Sequence, residues 1–240
     1  MTAPAGVIVT MDGPAGTGKS SVALMLAERL GLEMLDTGAM YRAAAVVAID
    51  EGVSADDGDA LAARIAEEGL AFDWSRKPPR LLLGGRDLTE RIRDADVNTV
   101  VSIVARQAPL RAAMVRAQRE IGRAHPRLVT EGRDQGSVVF PDAAVRFYLD
   151  AHPEVRARRR VEQMRAQGRP ADYEAVLRAI QQRDRLDETR TDGPLVCPAE
   201  AQRVDTSGLT LRQVVDELER RVRACVAAGL LSPPRTAQPA

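Results

Sequence analysis

The chain has 240 residues with 34 basic and 34 acidic side chains, so its formal net charge at pH 7 is zero. A hydrophobic fraction of 45% is typical of a folded globular protein and argues against a chain that is disordered throughout. Bulk electrostatic binding of a nucleic-acid polymer requires a basic surplus, so we expect no such partner. Among the basic residues only Lys19 and Lys77 are lysine, and for most positions the arginine excess indicates genome composition.

Cysteine content and apolar runs exclude further classes of protein. Cys197 and Cys225 are too few for a disulfide framework or a four-ligand zinc site. The N-terminus lacks a basic segment followed by an apolar one, and the apolar stretches are shorter than a membrane span. The sequence therefore predicts a cytoplasmic protein with no membrane partner.

The predicted elements begin with a strand, a glycine-rich loop and a helix. Val7–Val9 is a β-branched run typical of a buried strand, and apolar residues then recur at helical spacing until Gly31. Alternating apolar residues and the pair Gly84-Gly85 predict a small antiparallel sheet within 69–94. Further helices are predicted at 39–51, 61–68, 97–121 with a break near Pro109, 152–167, 173–185 and 211–226, and strands at 34–35, 128–129, 145–149 and near Val204.

The alternation of strands and helices predicts an α/β fold with a mostly parallel sheet that is covered on both faces. Strand 145–149 is nearly all apolar, which favours a central position in that sheet. We expect a single domain over residues 1–232 and a disordered, proline-containing tail at 233–240.

The loop between the first strand and the first helix matches the phosphate-binding pattern G-x-x-x-x-G-K-[ST]. Its glycines let backbone N–H groups converge on phosphate oxygens, and the helix adds the positive end of its dipole. Lys19 supplies a positive charge, and Ser20 supplies a hydroxyl ligand for Mg²⁺. We therefore expect a site for ATP with Mg²⁺ formed by Gly13, Pro14, Ala15, Gly16, Thr17, Gly18, Lys19, Ser20 and Ser21.

Several classes of protein share this loop, and other motifs discriminate among them. The sequence has no N-K-x-D motif, which argues against a translation-type GTPase. A second acidic strand typical of motor ATPases is not clear, and Val145–Asp150 is the nearest match. A small-molecule kinase is favoured, and a nucleotide-dependent regulatory protein that hydrolyses slowly stays as the alternative.

Three further strings accompany the loop. They are Asp36–Arg42 (DTGAMYR), Gly132–Ala143 (GRDQGSVVFPDA) and Arg183–Arg190 (RDRLDETR). In order and spacing, all four motifs resemble the bacterial cytidylate kinases over roughly Val7 to Val226. The resemblance implies ATP-dependent phosphorylation of CMP and dCMP to CDP and dCDP, with a kinase for another nucleoside monophosphate as the alternative. It also implies a three-layer P-loop NTPase fold with a parallel five-stranded sheet.

The resemblance further implies a division of the chain and a set of site residues. It implies an insert that binds the monophosphate at about 37–105, a helical lid at about 152–190, and a monomer whose partners are CMP, dCMP and ATP. At Thr37 the family pattern usually has serine, and the hydroxyl is kept. The implied catalytic residues are Lys19, Arg133, Asp134, Arg156, Arg160 and Arg190. The implied acceptor-site residues are Arg42, Arg133 and Arg190 around the phosphate, Ser102, Arg111 and Asp134 near the cytosine, Arg183 and Asp187 near the sugar, and Asp36, Thr37 and Tyr41 beside them.

The chemistry of these residue types agrees with the resemblance. A phosphate oxygen that attacks ATP is already ionised, so positioning and charge neutralisation suffice without a strong general base. The Asp134 carboxylate can accept a hydrogen bond from the amino group of cytosine, which predicts preference for CMP over UMP. Arg156 and Arg160 are four residues apart and share a helical face, which predicts lid arginines over the ATP phosphates; a solvated basic face is the alternative.

Overall fold

A computed structural model describes residues 6–227, and the tail for which we predict disorder, 233–240, lies outside this range. Helices and strands alternate along most of the chain. The strands are β1 (Val7–Asp12), β2 (Glu33–Asp36), β3 (Leu70–Asp73), β4 (Arg80–Leu83), β5 (Arg86–Asp87), β6 (Arg127–Glu131), β7 (Val145–Asp150) and β8 (Gln202–Asp205). The helices are α1 (Lys19–Leu30), α2 (Thr37–Asp50), α3 (Gly58–Glu68), α4 (Ala95–Val104), α5 (Ala108–Ala124), α6 (Pro153–Ala166), α7 (Tyr173–Thr189) and α8 (Leu211–Ala227).

The main sheet has five parallel strands in the order β2-β6-β1-β7-β8. This confirms the predicted parallel sheet and corrects one detail of it. The middle position belongs to β1, whereas β7 lies one place further out between β1 and β8. An apolar strand sequence indicates burial on both faces, and any interior strand of a covered sheet has that burial. In register, Val9 of β1 pairs with Val129 of β6 and with Val145 of β7.

Two hydrophobic clusters cover the two faces of this sheet and confirm the three-layer α/β fold. On one face, Met11, Phe147 and Leu149 pack with apolar side chains of α1 and α8. On the other face, Leu35 and Leu128 join a cluster built from α2 to α5 and the antiparallel strands. No helix within residues 6–227 is long and apolar enough to cross a membrane.

The antiparallel strands form the predicted small sheet, in the order β3-β4-β5. Gly84 and Gly85 both have positive φ, +57° and +75°, and make the tight turn between β4 and β5. Phe72 and Trp74 pack against the same hydrophobic cluster as α2 to α5. The sheet is therefore attached to the body of the protein by an apolar face.

Helix boundaries differ from the predicted ones at three places. The Asp36 carboxylate accepts a hydrogen bond from the backbone N–H of Ala39, so α2 begins at Thr37, two residues earlier than predicted. The predicted helix at 97–121 is two helices, and Pro109 is in the first turn of α5. Helix α7 runs to Thr189, beyond the predicted end at Arg185.

Candidate active site

The phosphate-binding loop leaves β1 at its carboxyl end and enters the N-terminus of α1. Gly13 has φ +143°, and a Cβ there would lie 2.0 Å from the backbone oxygen of Leu149, so only glycine fits. Gly18 adopts a left-handed conformation (φ +89°) before the first turn of α1, which has no side-chain cap. The first backbone N–H groups of α1 thus remain available to an anion.

Lys19 is the first residue of α1, and its side chain is buried. Its Nζ donates to the backbone oxygen of Pro14 at 2.7 Å and to Thr17 Oγ1 at 3.4 Å. Burial, together with the charge of Arg133, lowers the pKa of Lys19 to about 7. An anion bound in the loop would replace these neutral acceptors and restore the charged form of the amine.

Ser20 lies beside a carboxylate that the sequence analysis did not assign. Its Oγ donates to Glu131 Oε1 at 2.6 Å, and Glu131 is the last residue of β6. At the nearest match, Val145–Asp150, the Asp150 carboxylate pairs with Arg203, whereas the carboxylate beside Ser20 belongs to β6. Leu128 and Val129 of β6 were a usable signal for this strand, which ends in Glu and not in the Asp of the usual pattern.

A second carboxylate lies next to Glu131. Asp36 ends β2 and is the register partner of Glu131 in β6. Burial and the negative charge of Glu131 raise the pKa of Asp36 to about 7. Thr37 follows Asp36, and its hydroxyl donates to the backbone oxygen of Glu131 at 2.7 Å. The hydroxyl that threonine shares with serine therefore anchors the start of α2 to β6.

Arginines from α2, α6, α7 and the segment after β6 lie near one another, and two of them, Arg133 and Arg183, lie near Lys19. Arg133 donates from Nε to Asp187 Oδ2 at 2.8 Å, which ties the segment after β6 to α7. Burial, together with the charge of Arg133, lowers the pKa of Arg183 to about 10. Burial and the charges of Arg160 and Arg133 likewise lower the pKa of Arg42. These neighbouring cations destabilise one another, so the site favours anions that neutralise them.

Two guanidinium nitrogens in this group are buried and lack a hydrogen-bond partner among the described residues: Arg183 Nε and Arg190 Nη2. Arg190 uses its Nε to donate to the backbone oxygen of Gly193 at 2.5 Å. Unpaired buried donors are costly in a folded protein. Both nitrogens are suited to a ligand that supplies oxygen acceptors.

Arg111 and Asp134 form a buried ion pair. Arg111 also lies over the ring of Tyr41, with the guanidinium carbon 5.6 Å from the ring centroid. Gly193 closes over the pair, because a Cβ there would lie 2.6 Å from Asp134 Oδ2. Ser102 is half-buried on α4, one turn before Ala105, whose backbone oxygen accepts from Arg111 at 3.3 Å. The structure thus brings together Tyr41, Arg111 and Asp134, with Ser102 on the adjoining helix.

The two arginines of α6 differ in their surroundings. Arg156 is buried and donates to the backbone oxygen of Ala15 at 2.9 Å and to Asp184 Oδ2 at 2.6 Å. Asp184 in turn accepts from the N–H of Ala15 at 3.4 Å. Arg160 is half-buried and donates to Gln163 Oε1 at 2.7 Å. A solvated face is therefore the wrong description of Arg156, which binds the loop backbone, whereas Arg160 keeps guanidinium nitrogens for other partners.

Comparisons with known proteins agree with this geometry. The profile of the cytidylate kinase family matches residues 9–224. The chain is 45% identical to a cytidylate kinase of Nocardia farcinica over 93% of this chain and 96% of that one. It is 46% identical to a cytidylate kinase of Rhodococcus opacus over 88% and 93% of the two chains.

Among solved structures, an uncharacterized protein from Eubacterium ventriosum aligns with a TM-score of 0.51 at 10% identity, over 91% of this chain and 98% of that one. At this identity the alignment supports the fold alone. The family profile and the curated relatives span nearly the whole chain. This chain belongs to the cytidylate kinase family.

Proposed function

We propose that this protein transfers the γ-phosphoryl group of ATP to CMP and dCMP, which gives ADP and CDP or dCDP. One observation carries the proposal. Three cations that repel one another, Lys19, Arg133 and Arg183, lie close together at the phosphate-binding loop. Such a group neutralises a triphosphate and a monophosphate that must approach each other, and a regulatory protein would have no evident use for it.

The donor site is proposed at residues Gly13 to Ser21. Backbone N–H groups of the loop and of the first turn of α1 would bind the phosphates of ATP, and Lys19 would leave its bonds to Pro14 and Thr17 to follow the transferred group. Arg156 and Asp184 would hold the backbone of Ala15 in place. Arg160 would complete the lid over the phosphates.

The residues present also fit Mg²⁺. Ser20 Oγ and Glu131 Oε1 are adjacent oxygen ligands, the type that Mg²⁺ prefers. No group of three His, Cys, Asp or Glu side chains that could hold a metal ion is found between residues 6 and 227, so most other ligands would be water and phosphate oxygens. When bound, Mg²⁺ supplies positive charge to the phosphate oxygens. Ser20 would ligate it, and Glu131 would orient Ser20 or a water.

The acceptor phosphate is proposed to bind Arg42, Arg133 and Arg190, with the free Nη2 of Arg190 among its donors. Its attacking oxygen is ionised at neutral pH, so these residues orient it in line with the donor and no proton has to be removed. Arg183 and Asp187 are proposed for the sugar. Catalysis then consists of alignment and charge neutralisation.

The base is proposed to bind between Ser102, Arg111 and Asp134, with Tyr41 behind Arg111. An ionised Asp134 accepts a hydrogen bond from the cytosine amino group, whereas the uracil carbonyl would face a carboxylate. We infer preference for CMP over UMP from this chemistry. Comparable kcat/KM for UMP and CMP would contradict it.

Domain roles complete the proposal. We infer one kinase domain over 1–232, in which about 37–105 is the monophosphate-binding insert and about 152–190 is the lid. We also infer a monomer in the cytoplasm without a nucleic-acid or membrane partner. Light scattering after size exclusion tests the monomer, and a mass of twice 26.0 kDa would contradict it.

A coupled assay for ADP tests the proposed function. ADP formation should depend on Mg²⁺ and on CMP or dCMP, with little formed when UMP or dTMP is the acceptor. Arg160→Ala should lower the rate, and Arg158→Ala, a change at an exposed arginine of the same helix, is the matched control. ADP release without any monophosphate would favour the regulatory alternative, and stimulation by dTMP alone would favour another kinase.

A further inference from the structure

We propose that Asp12 is a positioning residue for base recognition: from the end of β1 it holds the turn that presents Asp134 to the nucleobase. The inference rests on the proposed function, since it requires that Asp134 reads the base. Asp12 directly precedes Gly13, so the same residue links the phosphate-binding loop to the segment that carries Asp134.

The contacts of Asp12 are two short hydrogen bonds to one turn. Its Oδ1 accepts from the backbone N–H of Gln135, and its Oδ2 accepts from that of Gly136, each at 2.7 Å. These N–H groups begin a π-helical turn at Gln135–Val139, immediately after Asp134. Each carboxylate oxygen therefore satisfies one donor that a helical start leaves without a partner.

A residue in the position of Asp134 normally caps the turn that follows it. Here the structure shows no side-chain cap from Asp134, because its carboxylate is bound to Arg111. Asp12 supplies the cap from a neighbouring strand. Because Asp12 caps the turn, the carboxylate of Asp134 is available for Arg111 and for the base.

The approach of the turn to β1 is close and leaves little freedom. Gly136 packs on β1, where an added Cβ would lie 2.9 Å from Thr10 Oγ1 and 3.2 Å from Asp12 Oδ2. Two residues before Asp134, the backbone N–H of Gly132 donates to the backbone oxygen of Met11 at 3.0 Å. Both ends of the segment that carries Asp134 are therefore tied to β1.

The carboxylate of Asp12 is retained at a cost, which argues for a role beyond packing. Asp12 is 1% exposed, and burial raises its pKa to about 6 despite the two hydrogen bonds. The charged groups that face it are Asp134 and Lys19. An amide side chain would avoid this cost, but its NH2 group is a donor, so only one of its two terminal atoms could accept a hydrogen bond from the turn; an apolar side chain would accept none.

Asp12→Asn tests the inference, because asparagine keeps the shape and loses one of the two acceptors. We expect the KM for CMP to rise about tenfold and the ratio of kcat/KM for CMP to that for UMP to fall about tenfold, the effect of one hydrogen bond to a charged group. The KM for ATP should change less than about threefold, since the turn and not the donor loop loses its anchor. Thr10→Val, a change on the same strand next to Gly136, is the matched control. It should leave the KM for CMP and the ratio of kcat/KM for CMP to that for UMP unaltered.

Gly136→Ala tests the contact between Asp12 and the turn by a change in the turn itself. This variant tests the inference if Asp12→Asn does not fold. Its Cβ would push the turn away from Asp12, so it should also raise the KM for CMP and reduce discrimination. Loss of kcat with unchanged KM for CMP and unchanged discrimination in these variants would overturn the inference. Asp134→Asn separates the two proposals: if it leaves the CMP to UMP ratio unaltered, base recognition by Asp134 is itself wrong.

Discussion

Replacing Glu131 by glutamine tests the carboxylate that lies beside Ser20. The change keeps the side-chain volume and removes the negative charge that accepts a 2.6 Å hydrogen bond from Ser20 Oγ. A carboxylate at this position attracts Mg²⁺ or one of its water ligands, whereas an amide does so more weakly. We expect the requirement for free Mg²⁺ to increase.

The magnitude follows from that contact. A hydrogen bond to a charged group contributes about 1.5–3 kcal/mol and a neutral one about 1 kcal/mol, a difference of about 1–2 kcal/mol. About 1.4 kcal/mol corresponds to a tenfold change in an equilibrium constant. The concentration of free Mg²⁺ that gives half-maximal activity should therefore rise about tenfold. Asp36 limits the effect, because without the charge of Glu131 the pKa of Asp36 falls below about 7 and a larger fraction of its carboxyl is ionised at the pH of the assay. Asp36→Asn combined with Glu131→Gln should therefore have a larger effect than Glu131→Gln alone.

The assay is the initial rate against free Mg²⁺ at fixed ATP and CMP, at pH 7.5. Glu33→Gln is the matched control, since Glu33 lies on β2 with its side chain 42% exposed and bonded to His125. A Glu131→Gln protein with a lower kcat but an unaltered Mg²⁺ dependence would refute the reasoning. So would an equal shift in the Glu33→Gln control.

Three further predictions concern other parts of the molecule. Because burial lowers the pKa of Lys19 to about 7, the amine is mostly neutral at pH 8. We expect ATP binding at pH 8 to take up a proton, and calorimetry in buffers of different ionisation enthalpy would contradict this if no proton moves. Asp134→Asn leaves the buried Arg111 without its charged partner, so urea denaturation should show about 3 kcal/mol less stability, and an unchanged midpoint and slope would count against the pair. Gly122→Ala places a Cβ 2.6 Å from a ring atom of Phe140 and should cost about 1–3 kcal/mol by overpacking, seen as a lower Tm with the KM values unaltered; an altered KM for CMP would contradict a purely structural effect.

Many helices and strands could be predicted from the sequence because local residue patterns determine them. Apolar periodicity, Gly31 and the pair Gly84-Gly85 predict elements that the structure confirms. The start of α2 was missed because it depends on the cap that the Asp36 side chain makes to Ala39. The position of β7 was missed because burial on both faces does not distinguish one interior strand from another.

The site divides in the same way. Motifs indicated the phosphate-binding loop and most of the residues proposed for the acceptor, since these lie in contiguous strings such as Arg183–Arg190, whereas Ser102 and Arg111 lie outside the strings. Glu131, Asp12 and Asp184 were missed, because each acts on a residue more than 100 positions away in the sequence. The spacing of residues within one motif cannot predict a contact between such distant positions.

The sequence by itself therefore determined the class of fold, the phosphate-binding loop and the supply of arginines and carboxylates. Only the tertiary structure decided which charges meet. Parallel strands bring their carboxyl ends to one edge of the sheet, so Asp12, Asp36 and Glu131 gather there from three strands. Burial at that edge raises the pKa of Asp12 and of Asp36, and it lowers the pKa of Lys19 and of Arg183 nearby. A chain with zero net charge thus contains, among carboxylates such as Asp187 and Glu131, a local group of cations suited to nucleotide phosphates.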